Sequence, residues 1–183
     1  ARETCFEEKL KKRGRTSGCA QGTVFADVMD VFEAQNLDST SGNLSTPDLA
    51  QALKRINTTP ALYLEAGAIH GTVLCEGSDP LVFMEDVGRH NAVDKVAGWM
   101  VETNTPAEGK WLFTTGRLTS EMVIKTVMMG LPILVSRSGF TASGAALAQK
   151  AGLTLIGRAR GQRYQIVAHA NRLIRSKKDT AHG

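Results

Sequence analysis

Four segments combine arginine with glycine, two of them with hydroxyl side chains as well, and each follows a short apolar run. They are Glu85-Asp86-Val87-Gly88-Arg89-His90-Asn91, Thr114-Thr115-Gly116-Arg117-Leu118-Thr119-Ser120, Ser136-Arg137-Ser138-Gly139-Phe140-Thr141 and Gly157-Arg158-Ala159-Arg160-Gly161-Gln162-Arg163. Glycine lets backbone approach a phosphate closely. An arginine fork such as that of Arg117 can clamp a phosphate through two parallel bonds. Loops of this kind at the carboxyl ends of strands converge on one crevice in an open α/β sheet. The chemistry they suit is recognition of an anionic, nucleotide-like molecule. None of them is a Walker A loop or a Gly-x-Gly-x-x-Gly fingerprint, so ATPase and NAD chemistry are not indicated.

Cys19 is a second candidate. It lies in the glycine-flanked stretch Thr16-Ser17-Gly18-Cys19-Ala20-Gln21-Gly22, just after Lys9, Lys11, Lys12, Arg13 and Arg15. Neighbouring cations favour a thiolate and an open loop gives access, the two conditions for reactive sulfur. An incidental loop cysteine fits the same residues. Cys75 ends a strand-like run and reads as a small buried hydrophobe. Neither the His-x-Glu nor the Pro-Cys-x-x-Cys of the zinc deaminases occurs, and the histidines are not spaced with the cysteines for zinc.

The elements that must position these loops follow from pattern. Strands are expected at Leu81–Met84, Trp111–Phe113, Pro132–Val135 and Leu153–Ile156. Helices are expected at Asn91–Val101, Ser120–Met129 and Thr141–Ala151, with Gly130 and Gly152 at helix C-caps. An earlier helix begins with Thr46 as N-cap and Pro47 in its first turn, running to about Lys54. Asn91 and Asp94 serve the start of the helix after Arg89. A strand at 66–74 pairs with Leu81–Met84, and Arg163–Val167 closes a final hairpin behind a basic loop at 158–163. Residues 1–22 form a basic flexible segment, 23–174 one α/β domain and 175–183 a polar tail. Strand–helix alternation implies a mostly parallel sheet with helices on its faces.

The chain has 183 residues, 42% of them hydrophobic and 5% aromatic, with net charge +4. That is enough for one real core. Few aromatics argue against a single-strand nucleic-acid platform. No apolar run is long enough to span a bilayer, and no signal-peptide pattern opens the chain, so a cytoplasmic setting is expected. Three cysteines, Cys5, Cys19 and Cys75, do not suggest a disulfide framework. The chain opens at Ala1, as a fragment or processed form would.

The run Glu85-Asp86-Val87-Gly88-Arg89-His90-Asn91-Ala92-Val93-Asp94-Lys95 closely resembles the signature of the formate dehydrogenase accessory sulfurtransferases, the FdhD family. Thr115–Met122, Ser136-Arg137-Ser138 and Leu153-Thr154-Leu155-Ile156-Gly157 resemble it too. The resemblance implies a three-layer α/β/α sandwich with a cytidine-deaminase-like mixed sheet that lacks the deaminase zinc site. It implies a sulfurtransferase that takes sulfur from a cysteine desulfurase as a persulfide. The sulfur goes to the molybdenum cofactor in its bis(molybdopterin guanine dinucleotide) form, which is then inserted into formate dehydrogenase. GDP is the expected analogue of a cofactor arm, and a homodimer is expected. Arg15-Thr16-Ser17-Gly18-Cys19 matches the loop of the persulfide cysteine, which assigns Cys19 as catalytic. The cofactor-binding stretch maps onto Arg158, Ala159, Arg160, Gly161, Gln162 and Arg163, with Arg89, His90, Thr115, Gly116, Arg117, Ser136, Arg137 and Ser138 joining it. Three features depart from the family pattern. Gly22 stands where many relatives carry a second cysteine, so Cys19 acts alone. Ala66-Gly67-Ala68-Ile69-His70 stands where relatives have Thr-Gly-Gly before the histidine. The longer N-terminal portion is absent. The rival readings are a cofactor-binding chaperone without sulfur chemistry and a nucleotide-modifying enzyme on a deaminase-like core.

Overall fold

Alternating apolar residues along four adjacent strands build the molecule from the centre outward. In a computed structural model, which describes residues 13–15, 23–25, 32, 34, 35, 37, 42–58 and 69–176, six strands form one sheet. They are β4 (His70–Glu76), β5 (Asp79–Asp86), β6 (Lys110–Thr114), β7 (Ile133–Ser136), β8 (Thr154–Arg160) and β9 (Arg163–Ala168), in the order β5-β4-β6-β7-β8-β9. Leu74, Leu112, Leu134 and Leu155 face one side, and Val73, Cys75, Trp111, Phe113, Ile133, Val135 and Ile156 the other. Both sides are therefore apolar and both must be covered.

Three helices cover the first side: α2 (Arg89–Glu102), α3 (Ser120–Met128) and α4 (Ala142–Ala151). The second side is covered by α1 (Thr46–Thr58), whose Leu49, Ala52, Leu53 and Ile56 repeat at helical spacing. This is the expected three-layer α/β/α arrangement. Two short pairs complete it. One joins β1 (Arg13–Arg15) and β2 (Thr23–Phe25), antiparallel. The other joins β3 (Leu44–Ser45) and β10 (Leu173–Ile174), parallel. Arg172, buried before β10, donates to the carbonyls of Gly152 and Leu37 and so satisfies the C-terminal end of α4.

The sheet is mixed rather than mostly parallel. Only β6–β7 and β7–β8 pair in parallel, while β4–β5, β4–β6 and β8–β9 are antiparallel. The reason is the two-residue turns Gly77–Ser78 and Gly161–Gln162, which reverse the chain at once; Gly77 and Gly161 both have positive φ. Four strands (β5, β6, β7 and β8) still run the same way, so their carboxyl ends share one edge. The N-terminus of β4 lies there as well.

Several expected boundaries shift. The strand β5 is longer than Leu81–Met84 and tolerates Pro80 because it is an edge strand. The helix α1 is capped by Ser45, whose Oγ accepts from the Asp48 N–H at 3.1 Å, and it continues to Thr58. The helix α2 begins at Arg89, not Asn91. Its N-cap is Gly88, and Asp86 takes the part expected of Asn91 and Asp94 by accepting from Gly88 N and Asn91 Nδ2. Asp94 instead pairs with Lys125 on α3. The strand β8 runs to Arg160, so Arg158 and Arg160 lie in a strand and not in a loop. Among the described residues, no helix is long and apolar enough to cross a membrane.

Candidate functional site

The hydrogen-bond ladder of the sheet continues past the strand ends and locks the loops together. Thr115 N donates to Gly71 O at 2.9 Å, and Gly71 N donates to Thr115 Oγ1 at 3.0 Å. Arg137 N donates to Thr114 O at 3.2 Å, and Arg158 N to Ser138 O at 2.8 Å. Leu118 and Phe140 form a further bridge between the second and third loops. Ser136 and Ser138, expected in the site, brace its floor. Ser136 Oγ donates to Gly116 O at 2.6 Å, and Ser138 Oγ to Thr115 O at 2.9 Å. Thr141 alone caps α4, accepting from Gly144 N. Loop atoms are thus fixed by backbone and short hydroxyl bonds.

The inner part of this edge gathers His70, Arg89, His90, Thr115 and Gly116. The Arg89 stem lies so close over Gly116 that a Cβ there would sit 2.8 Å from Arg89 Cβ and 2.9 Å from its Cδ. Only glycine admits the arginine. Nε and Nη2 of Arg89 are buried and have no hydrogen-bond partner. His70 Nδ1 is 3.5 Å from Thr115 Oγ1, a weak contact. His90 Nε2 lies 2.9 Å from Glu121 Oε2 in the first turn of α3, close enough for an ion pair yet too far off the N–H axis for an aligned hydrogen bond. Burial first, and then the Arg89 charge, pull both histidines below the ordinary imidazole range. For His90, Glu121 and Asp94 push the other way, and Lys125 adds to the lowering. The histidines are therefore neutral at pH 7, and Arg89 supplies the fixed charge.

Asp86 anchors this arrangement. It receives Lys95 Nζ at 2.8 Å together with Gly88 N and Asn91 Nδ2, and these bonds hold its carboxyl down at about 2. The turn that presents Arg89 is thus built on a carboxylate charged at every physiological pH.

The outer part is exposed and basic. Arg117, Arg158, Arg160 and Arg163 all reach solvent. Arg158 takes a left-handed φ of 55° and its Nε lies near Gly139, whose missing side chain leaves the approach open. Gly161 and Gln162 line a cleft of about 550 Å³ with Ala50, Gln51, Lys54, Asn57 and Thr58 of α1. Arg137 Nη1 reaches Asn57 Oδ1 at 3.4 Å and links this cleft to the loops. Ala159 instead sends its methyl into the core beneath α1. Cys19 lies outside the described residues. Cys75 is buried in the sheet, and burial pushes its thiol far up, so it is chemically quiet. Among the described residues, no three His, Cys, Asp or Glu side chains cluster as metal ligands.

Sequence reading undervalued His70 and missed Glu121 and Asn57. His70 opens the strand expected at 66–74, but its approach to Thr115 and Arg89 is tertiary. Glu121 carries the usual signal of an acidic residue in a first helical turn, but its pairing with His90 is tertiary.

The fold and this edge define a class: a three-layer α/β protein whose strand ends gather glycines and arginines on one edge. The FdhD/NarQ family model matches residues 1–174, and the chain belongs to that family. It is 34% identical over 167 residues to the sulfur carrier protein FdhD of Wolinella succinogenes, covering 90% of this chain and 57% of that protein. It is 36% identical over 158 residues to the sulfur carrier protein FdhD of Agrobacterium fabrum, covering 86% and 58% respectively. The chain thus spans somewhat over half the length of these curated relatives. A crystal structure from Desulfotalea psychrophila, provisionally assigned as a formate dehydrogenase accessory protein, superposes with a TM-score of 0.73 at 28% identity. The match covers 91% of this chain and 73% of that one.

Proposed function

We propose that this protein is a sulfur carrier in formate dehydrogenase maturation. Cys19 receives sulfur from a cysteine desulfurase and passes it to a molybdenum cofactor in the bis(molybdopterin guanine dinucleotide) form, held at the arginine edge. The observation that carries the reading is the family match, because it runs over both Cys19 and every loop of the anion-accepting edge. The edge fits the cargo chemically: Gly139 and Gly161 leave open approaches, exposed Arg160 and Arg163 bracket the cleft residues Gly161 and Gln162, and exposed Arg158 lies near Gly139.

In the transfer, the Cys19 thiolate attacks the terminal sulfur of the donor persulfide. The donor S–S bond breaks, the donor leaves as thiolate, and the new S–S bond makes Cys19 the persulfide. The cargo, as nucleophilic acceptor, then supplies the electron pair that bonds this terminal sulfur, the Cys19 S–S bond breaks, and Cys19 leaves as thiolate. No external oxidant is consumed. The basic residues before Cys19, Lys9 to Arg15, favour both anionic sulfur states. The partners under this reading are the desulfurase, apo formate dehydrogenase and a second copy of the chain, all in the cytoplasm.

The test separates cargo from sulfur. Arg160→Ala should weaken guanosine diphosphate about tenfold by isothermal titration, the cost of one charge-assisted contact. Cys19→Ala should bind guanosine diphosphate like the wild type. Equal binding by Arg160→Ala would remove the hairpin from the site. Gly22, in place of a second cysteine, favours one alternative: a cofactor chaperone without sulfur transfer. That alternative requires nucleotide binding with no sulfur gained on Cys19.

A further inference from the structure

Arg89 is the one arginine of the edge with buried, unpartnered nitrogens, and which nitrogens they are is informative. Nε and Nη2 form one side of the guanidinium fork, the side that grips two oxygens of a single anion with parallel bonds. Neither Glu121 nor Asp86 meets the fork: Glu121 Oε2 lies 2.9 Å from His90 Nε2, and Asp86 receives Lys95, Gly88 and Asn91. Thr119, 1% exposed and in the loop that Arg89 overlies, carries a hydroxyl that neither caps α3 nor meets another partner. Burying charged and hydroxyl donors without acceptors costs free energy, and folds retain such groups where a ligand completes them.

We propose that Arg89, with His70, His90 and the Thr119 loop around it, is a dedicated phosphate subsite, distinct from the cleft beside α1 that Gly161 and Gln162 line. A tetrahedral oxyanion suits it better than a carboxylate. Two oxygens face the fork edge, and a third remains for a hydroxyl or imidazole N–H. Gly116 sets the depth, since any side chain there would displace the Arg89 stem. The subsite rests on the proposed function only in taking its phosphate to be part of the dinucleotide cargo; its ability to hold phosphate does not involve Cys19.

The experiment is titration of the purified chain with inorganic phosphate, followed by calorimetry and by ³¹P line broadening. Wild type, Arg89→Lys, Arg89→Met and Arg160→Ala are compared, with acetate as the carboxylate control. Wild type is expected to bind phosphate at least tenfold more tightly than acetate. Arg89→Lys keeps the charge but loses the fork and should weaken phosphate at least tenfold. Arg89→Met should abolish binding, whereas Arg160→Ala, which removes one exposed contact, should weaken phosphate less than Arg89→Lys does while weakening guanosine diphosphate. Phosphate binding that survives in Arg89→Met, or that falls further in Arg160→Ala than in Arg89→Met, would overturn the subsite. So would an absence of binding by folded wild type. Sulfur loading is read separately, so a failure to load Cys19 alongside normal phosphate binding would sink the carrier reading and leave the subsite standing.

Discussion

Replacing Arg89 by methionine should make the ligand-free protein more stable while removing its hold on phosphate. The arginine nitrogens Nε and Nη2 are buried without partners. An unsatisfied buried donor costs roughly 1–3 kcal/mol, more when charged. Part of the side chain reaches solvent, so water relieves some of that penalty. Methionine keeps the apolar stem over Gly116 and drops the fork. The expected gain is therefore about 1–3 kcal/mol, or roughly 2–4 °C in Tm per kcal/mol for a chain of this size. In phosphate at about 100 times its Kd the wild type gains about 2.7 kcal/mol by mass action and the variant gains nothing, so the order of stability narrows or reverses. Urea and thermal unfolding with and without phosphate measure both halves. Histidine NMR adds a third readout: with the Arg89 charge gone, His70 and His90 should titrate higher, although burial, the larger cause, remains. A variant destabilised by more than about 1 kcal/mol in phosphate-free buffer would mean that Arg89 already has a partner, and the reasoning would fail.

Two further outcomes follow from the same geometry. Gly116→Ala places a methyl 2.8 Å from Arg89 Cβ, which should cost about 1–3 kcal/mol of overpacking and weaken phosphate; unchanged affinity would show that the stem moves freely. Without ligand, stability should fall as pH drops below 6.5. There the unfolded chain protonates His70 and His90 before the folded chain does, since both folded values are lowered, and above 6.5 their contribution is complete. His90→Gln should flatten that slope below pH 6.5. A slope that steepens would reverse the sign assigned to His90.

Much of the site was legible because glycine and arginine fell at strand ends: Thr115, Gly116 and Arg117 lie at the carboxyl edge as pattern alone required. The layers were legible too, since apolar residues alternate on both faces of β6 and β7. Misreadings arose where a local signal had a stronger tertiary competitor. Arg158-Ala159-Arg160 looks like a basic loop by charge, yet Ala159 is buried and the alternation is that of a strand. Asn91 looks like a helix cap, but Asp86, five residues earlier, captures its side chain and moves the helix start to Arg89. The hairpins of β4 with β5 and of β8 with β9 were legible from their turns, but the antiparallel pairing of β4 with β6 was not, since strands far apart in sequence announce no partner. Which cation is paired and which is not is a property of packing alone, and so the special status of Arg89 was not visible in its motif.

The central claim is that this chain carries sulfur on Cys19. The most direct measurement is intact mass after incubation with cysteine and a cysteine desulfurase, for wild type beside Cys19→Ala. The account predicts one added sulfur on the wild type, removed by a thiol reductant and absent from the variant. No added sulfur on folded wild type, or the same gain on Cys19→Ala, would contradict it.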